Sequence, residues 1–148
     1  MIFTLKHIVN SLAGVLKKNY EYPAYNSPNQ QGTKPPCFFI FFMPSTIEGQ
    51  IGERYYRDLG VDIVFVQQRN VVNGNAQIQE IAEFLDESLD LFEYRDGSGK
   101  KAYIRTYERQ WQSEDEELHY QFHIRQHVAL PEKPNTMQEL EEHHVGVK

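Results

Sequence analysis

Three regularly spaced histidines are the first residues of this chain that could do chemistry. His119, His123 and His127 recur every four residues in a segment that alternates apolar and polar side chains. On a β-strand, residues four apart are separated by roughly 13 Å, because each residue advances the chain by roughly 3.3 Å. Zinc holds its nitrogen ligands at about 2.1 Å, so these histidines cannot share one ion. We predict a solvated polar face instead of a metal site.

The possible nucleophiles also lack a catalytic setting. Cys37 is the single cysteine, and no histidine lies near it in the sequence, so we predict a small buried hydrophobe. None of the serines has the flanking glycines of a nucleophile elbow. The run Gly97–Ser98–Gly99–Lys100 lacks the spacing of a phosphate-binding loop and is typical of a hairpin turn. We therefore predict no enzyme, no cofactor and no metal.

Carboxylates are concentrated in two segments. Glu80, Glu83, Asp86 and Glu87 lie on the polar side of a predicted helix, and Ser113–Glu117 forms a second acidic group that we predict to be a loop. Charge runs of this kind are usually solvated faces. No carboxyl group is placed in an apolar cleft by the sequence pattern, so nothing indicates a general acid or base.

One segment has the composition of a protein interface. Aromatic and arginine side chains alternate through it, and period two places them on one face of a strand. Such side chains are enriched at interfaces, although cross-strand packing supported by cation–π contacts explains the same pattern. The candidate interface residues in this segment are Tyr103, Arg105, Tyr107, Arg109 and Trp111.

The run Cys37–Met43 is apolar throughout and is bracketed by prolines. It is too short for a typical helix, and a strand with one wet face would alternate polar and apolar residues. Both faces of this strand should therefore be covered, either by helices on both sides or by helices on one side and another subunit on the other. Phe39 and Phe41 face away from Phe38, Ile40 and Phe42, and we add these two residues to the candidate interface.

The surrounding elements predict an α+β fold, with an antiparallel or mixed sheet and two amphipathic helices packed on one face. Helical periodicity runs from Ile2 to Leu16 and from Ala76 to Leu89. Strands are predicted at Glu21–Tyr25, along the apolar run, within Ile51–Gln68, at Leu91–Tyr94, and as the pair Ala102–Trp111 and Leu118–Val128. Gly60 suggests a bulge or a close backbone approach. Asn26–Lys34 and Ser45–Gln50 are predicted to be loop and turn.

Composition limits the class of protein. A chain of 148 residues fits one domain, which we place at residues 1–130, followed by a polar and mobile tail at residues 131–148. The formal net charge of −6 argues against a dedicated nucleic-acid binder. A single cysteine allows no internal disulfide and fits a reducing compartment. No apolar stretch approaches the length of a membrane span.

Three motifs follow one another in a distinctive order. The N-terminal amphipathic helix is followed by the strand Pro36–Ile40, then by the Gly-x-Arg-Tyr-x-Arg pattern at Gly52–Arg57, and then by Asp62–Phe65. In this order, with the second helix and the final strand pair, the chain resembles the tail terminator (tail completion) proteins of tailed phages and prophages. The resemblance covers approximately Met1 to Leu130.

The resemblance implies a structural role without catalytic residues. It implies a hexameric ring that caps the tail tube, stops its polymerisation and joins the tail to the head. The implied partners are other copies of the chain, the tail tube protein and a head-completion protein, with DNA as passing cargo and no membrane. The implied location is the virion tail, assembled in the host cytoplasm. An acidic lumen would let DNA slide, and Glu80, Glu83, Asp86 and Glu87, or the acidic Ser113–Glu117 segment, are candidates for its wall.

Two other classes stay open from the sequence. One is an α+β adaptor or binding module of another phage or bacterial assembly, either dimeric or monomeric. The other is a small enzyme whose site is assembled only by the fold. An enzyme would require a concave pocket with perturbed titratable groups, which distinguishes it from the two assembly classes.

Overall fold

One mixed sheet and two helices make up the fold. The computed structural model describes residues 3–26, 34–52 and 54–128. The helices are α1 (Leu5–Lys17) and α2 (Gly74–Ser88), and the strands are β1 (Ala24–Tyr25), β2 (Cys37–Phe42), β3 (Thr46–Gln50), β4 (Arg54–Val66), β5 (Leu91–Arg95), β6 (Lys101–Glu114) and β7 (Glu117–Val128). The strand order is β1-β2-β4-β7-β6-β5, and β3 also pairs with β4. The predicted α+β class is confirmed.

The long strand β4 organises the sheet. It pairs with β7 from Tyr55 to Val66, and its other side is shared between β2 and β3. The register with β7 continues without interruption through Gly60, so the predicted bulge is absent there. Gly60 is required for a close approach instead, because an added Cβ would lie 2.9 Å from the Cβ of Met43, where the chain passes from β2 to β3.

Both helices pack on the same face of the sheet. Thr4 caps α1 by accepting a hydrogen bond from the backbone N–H of His7. Lys17 lies in the last turn, where the helix dipole stabilises a positive charge. α2 begins after Asn73, as the sequence predicts. The apolar stripes of both helices join one core with alternate residues of the central strands, including Phe38, Phe65 and Phe122.

The apolar strand β2 is closed on one face only. Phe38 and Ile40 are fully buried under the helices. Phe39 and Phe41 point to the opposite face, which is covered by neither helix, and they are half-buried. Within one chain, therefore, the prediction that both faces of β2 are covered is met only for the face under the helices.

Several local predictions need correction or lie outside the described residues. The prediction of a turn at Ser45–Gln50 is wrong, because Thr46–Gln50 forms strand β3. All five residues of β3 are exposed, so no burial pattern marks this strand, and only backbone pairing with β4 creates it. Most of the Asn26–Lys34 loop and the whole tail at residues 131–148 lie outside the described residues, and the domain boundary stays a prediction.

Candidate subunit interface

The face of the sheet opposite the helices is the principal candidate site, and we call it the helix-free face. Side chains of directly paired residues share a face, so the register assigns its members. The pairs include Phe39 with Val64, Asp58 with Arg125, and Tyr107 with His123. This face therefore combines aromatic residues on β2, histidines on β7 and the start of the aromatic stripe on β6.

Aromatic rings cover the β2 end of the helix-free face. The rings of Phe39 and Phe41 stack with centroids 5.6 Å apart, and Tyr25 of β1 packs against Phe39 at 5.8 Å. These three rings partly shield one another, which explains why Phe39 and Phe41 are half-buried without a helix above them. The group remains partly open to solvent and is available to a partner.

A cluster of four charged or polar side chains occupies the centre of the helix-free face. Nδ1 of His123 lies 2.8 Å from Asp58, and Nε of Arg125 lies 3.4 Å from the other oxygen of the same carboxylate. A second carboxylate, Glu108, accepts from Arg125 at 2.9 Å. Burial acts to raise the pKa of Asp58, but the hydrogen bonds and charges of His123 and Arg125 outweigh it, so this pKa lies below its ordinary value.

The histidines of β7 each have a different neighbour. His119 lies between the carboxylates of Asp62 and Glu117, at 3.3 and 3.1 Å. His123 belongs to the cluster with Asp58, and the ring of His127 packs against Tyr56 at 5.4 Å. Within the described ranges no group of three or more metal-ligating side chains could hold an ion.

A β-bulge in β6 divides the predicted aromatic and arginine stripe. Tyr107 pairs with His123 but Gln110 pairs with Gln121, so β6 contains one extra residue between these positions. Glu108, at the bulge, has φ +54°. The extra residue reverses the alternation beyond it. Sequence reasoning gave no signal for this bulge, and it is the bulge that brings Glu108 to Arg125.

The prediction that all five stripe residues share one face is therefore wrong for two of them. Trp111 pairs with Tyr120, whose side chain faces the helices. Arg109 lies 3.1 Å from the hydroxyl of the buried Thr106 and 3.3 Å from Asp90, so it also belongs to the helix side. Both residues remain candidates for contact with a partner, but not through the helix-free face.

Of the first three stripe residues, Tyr107 lies on the helix-free face, where it pairs with His123. Arg105 lies 3.5 Å from Asp90, and Tyr103 lines a depression with Val15 of α1 and Phe84 of α2, so these two lie at the sheet edge beside the helices. Tyr103 pairs with Glu93 and Arg105 with Leu91 at the edge of the sheet. Tyr103 is 65% exposed, whereas Tyr107 is 38% exposed and carries the guanidinium of Arg125 at 5.2 Å from its ring centroid. The predicted cation–π contact is thus present, but its arginine comes from β7.

The predicted lumen wall lies on the solvent side of α2. Glu80, Glu83, Asp86 and Glu87 are all exposed, and the helix contains neither lysine nor arginine. Asp86 also has an internal contact, because the buried hydroxyl of Tyr120 donates to it at 2.5 Å. Burial and this carboxylate raise the pKa of Tyr120. Asp86 therefore fastens α2 to β7, a role that the sequence pattern did not indicate.

The prediction that the acidic segment Ser113–Glu117 forms a loop is wrong. Glu114 pairs with Glu117 at the ends of β6 and β7, so only Asp115 and Glu116 form the turn. Both turn residues have positive φ, at 51° and 64°, as a tight two-residue hairpin requires. Such turns usually have glycine at the second position, where this chain has Glu116, so the sequence did not indicate one here.

These features define an α+β fold in which helices cover one face of the sheet and the other face is open, aromatic and charged. The sequence matches the family described as phage tail terminator protein over residues 7–136, and the chain belongs to this family. It is therefore a structural component of phage tails. No curated protein matches the sequence. Neither described helix is long and apolar enough to cross a membrane.

Proposed function

We propose that this protein forms a hexameric ring at the end of the phage tail tube, where it stops polymerisation of the tube and joins the tail to the head. Its partners are then other copies of the chain, the tail tube protein and a head-completion protein, with assembly in the host cytoplasm. The observation that carries the proposal is the family match, which spans α2 and all seven strands.

The helix-free face supports an assembly role on physical grounds. Tyrosine, arginine and phenylalanine are enriched at the centres of protein interfaces. Here Phe39 and Tyr107 lie on a face that no described helix covers, and Tyr103 at the sheet edge is 65% exposed. A contact with a neighbouring protein would bury this surface.

The acidic face of α2 supports a lumen through which DNA passes. Glu83 and Glu87 repel each other at four-residue spacing, which costs roughly 0.2–0.5 kcal/mol. Asp86 and Glu87 also lie in the last turn, where the helix dipole favours cations. Apart from Asp86, which fastens α2 to β7, subunit stability therefore gives no reason for these acidic residues. A wall without cations would let DNA phosphates pass without retention.

The direct test is polymerisation of the tail tube protein with and without this protein, with tube lengths measured by electron microscopy. We expect shorter tubes that carry one ring at an end. The double variant Tyr103→Asp/Tyr107→Asp should remain folded but lose capping. Val72→Asp is the matched control, since Val72 is 85% exposed in the loop before α2. Unchanged tube lengths with the wild-type protein would contradict the proposal.

A second experiment tests the lumen. The triple variant Glu80→Lys/Glu83→Lys/Glu87→Lys should still cap tubes but should retain DNA, with retention that weakens as salt is raised. The corresponding glutamine variant removes the negative charge without adding cations and should retain DNA far less. If the lysine variant passes DNA as the wild type does, α2 does not line the channel.

A further inference from the structure

Strands β6 and β7 end in a strongly acidic hairpin. They meet at the turn Asp115–Glu116, and we call residues 110–121 the acidic hairpin. It carries four carboxylates, at residues 114–117, and contains neither lysine nor arginine. Glu117 lies 3.1 Å from His119, whereas the other three carboxylates have no ion-pair partner among the described residues. Most of this negative charge can therefore meet cations of another chain.

The acidic hairpin extends beyond the neighbouring strand of the sheet. β5 pairs with β6 only over residues 101–105, so in the described part of the chain the rest of the outer edge of β6 has no partner strand. All residues of β6 from 107 to 114 are exposed, and Trp111 among them is 41% exposed. Arg69, in the loop beside the turn, forms no ion pair with the hairpin. An open strand edge with an exposed tryptophan is a surface that another chain can cover.

A groove between α1 and β5 lies near the other end of β6. It has a volume of about 440 Å³, and its lining includes Gly14, Val15 and Lys18. A neighbouring depression shares Val15 and Lys18 with it and continues to Leu91 and Tyr103. We call this surface the α1–β5 groove. Leu91 is 46% and Tyr103 is 65% exposed, so one end of the groove presents apolar side chains to solvent.

Charge distinguishes the α1–β5 groove from the acidic remainder of the chain. Three cations line it, Lys17, Lys18 and Arg95, against one carboxylate, Glu93. Glu93 is already paired with Arg95 at 3.1 Å, and Lys101 lies 3.9 Å from it. The hydrogen bond and charge of Arg95, followed by the charges of Lys101 and Lys18, hold the pKa of Glu93 below its ordinary value. The groove therefore carries excess positive charge in a protein whose formal net charge is −6.

The two carboxylates that flank β5 do not cancel this positive charge. Asp90 lies 3.5 Å from Arg105 and 3.3 Å from Arg109. Asp96 accepts a hydrogen bond from the backbone N–H of Ser98 in the turn after β5, and two lysines follow that turn in the sequence. The cations of the groove are thus available to carboxylates of another chain.

Gly14 is an independent sign that another chain approaches α1 closely. Glycine weakens a helix relative to alanine. A Cβ added at Gly14 would meet no atom within 4 Å, so packing of the described residues does not require a glycine there. Close approach of another chain does explain it, because a side chain at this position would narrow the groove.

The acidic hairpin and the α1–β5 groove are too far apart to meet within one chain. β6 has 14 residues and runs from Lys101, beside the groove, to Glu114 at the turn. At roughly 3.3 Å per residue the two ends are roughly 40 Å apart. A contact between the two surfaces therefore needs two copies of the chain. Two different surfaces at opposite ends of a subunit are what a head-to-tail ring contact requires.

The two surfaces also match in length. Trp111 precedes the turn residue Asp115 by four positions, and Leu91 precedes Arg95 by four positions. Both separations are roughly 13 Å along a strand. If Trp111 packs beside Leu91, the carboxylates of the turn therefore reach the cationic end of the groove.

We propose that the acidic hairpin of one copy docks into the α1–β5 groove of the next, with Trp111 against the apolar end of the groove and the turn carboxylates facing its cations. The contact is heterologous, so it can propagate around a ring. It covers the open edge of β6 and assigns the second acidic segment to the contact between copies, which leaves α2 as the wall of the lumen. This inference rests on the proposed ring and identifies the surfaces that close it.

The first test reverses the charges on each surface and then on both. Asp115→Lys/Glu116→Lys on the hairpin and Lys17→Glu/Lys18→Glu on the groove should each abolish the ring, as seen by electron microscopy and native mass spectrometry in the presence of tail tube protein. A protein with all four substitutions should form rings again, because opposite charges face each other once more.

The matched control for the charge reversal is Glu48→Lys/Ile51→Lys. It adds two lysines at exposed positions outside both surfaces and should leave the ring intact. Circular dichroism verifies that each variant is folded. Normal rings from the folded hairpin variant or the folded groove variant, or no recovery of rings in the combined protein, would overturn the docking proposal.

The second test does not depend on loss of assembly. The native Cys37 is buried, so introduced cysteines can be cross-linked without removing it. In the double variant Asp115→Cys/Lys18→Cys, oxidation should produce a ladder that ends at the ring. A 1:1 mixture of the two single variants should give dimers that contain one of each. Pairing Glu48→Cys with Lys18→Cys provides the control and should give no ladder.

The outcomes separate the two proposals. If the wild-type protein caps tubes and forms rings, but the ladder is absent and the charge-reversed variants assemble normally, the docking contact is wrong and the proposed function stands. If the groove variant forms normal rings but binds less DNA than the wild type, DNA occupies the groove and the docking contact is again wrong. If the wild-type protein forms no ring and leaves tube length unchanged, the proposed function fails and the docking contact fails with it.

Discussion

The two faces of the sheet use the same kinds of residue for different purposes. Phe38 and Phe39 are neighbours of identical type on β2, yet Phe38 is fully buried under the helices and Phe39 is half-buried on the open face. The helix side is closed by apolar packing, and among its members are Phe65, Tyr94 and Phe122. The helix-free face is held by paired charges and partly exposed rings. The closed core therefore lies mainly on one face, and the other face keeps its aromatic rings partly exposed.

The largest expected difference comes from the two neighbouring phenylalanines. Phe38→Ala should lower the free energy of unfolding by about 3–5 kcal/mol, because it leaves a cavity in the closed core. Phe39→Ala should cost far less, since its ring is already partly in water. Urea denaturation of both variants measures the contrast. Equal losses of unfolding free energy would mean that both faces contribute equally to the core, which contradicts the difference described above.

A smaller effect is expected where α2 is fastened to β7. Tyr120→Phe removes the bond to Asp86 and should cost about 1.5–3 kcal/mol, as for hydrogen bonds to charged groups. Glu83→Ala and Glu87→Ala should change the unfolding free energy by less than about 0.5 kcal/mol. Thermal denaturation of the three variants distinguishes the one acidic position that supports the fold from those that only contribute charge. A large loss for Glu83→Ala would refute this assignment.

The bulge in β6 predicts an order of stability between two substitutions at one site. Glu108→Ala removes the contact with Arg125 and keeps a side chain at φ +54°. Glu108→Gly removes the same contact but relieves the left-handed conformation, which costs about 1–2 kcal/mol for residues with a Cβ. The glycine variant should therefore be more stable than the alanine variant by about 1 kcal/mol in chemical denaturation. The reverse order would argue against the bulge.

The smallest effect concerns acid stability of the charge cluster on the open face. The pKa of Asp58 is lowered in the folded state, so its contribution is complete above the unfolded pKa of about 3.9 and is lost as pH falls through the folded value. Asp58→Asn should cost less than about 1 kcal/mol near neutral pH. The difference between wild type and variant should shrink below about pH 4 in unfolding curves. A difference that grows at low pH would contradict the lowered pKa of Asp58 in the folded state.

Most elements of the fold could be predicted, because periodicity records which residues are buried. The alternation from Leu118 to Ile124 and the helical spacing in α1 and α2 are confirmed by burial. Strand β3 was missed, since a fully exposed strand has no apolar pattern. The division of the stripe at Glu108 was missed as well, because a bulge adds one residue without a turn signal such as glycine or proline.

The candidate site was predictable only in part. Phe39, Phe41 and Tyr107 were identified from their types and spacing, and all three lie on the helix-free face. Asp58 was not identified, although its place in the alternation of Arg54, Tyr56 and Asp58 was visible. Its partners His123 and Arg125 lie more than sixty residues away in the chain. Long-range pairing of this kind leaves no local pattern.

The sequence by itself determined the class of fold, the tail terminator resemblance that the family match bears out, and the absence of alternation in β2 that separates this strand from its neighbours. These properties depend on the local order of apolar and polar residues. Only the tertiary structure decided which face the helices cover, where Arg109 and Trp111 point, and which carboxylates meet Arg125. These features depend on register between strands, and a single extra residue in β6 is enough to reverse them.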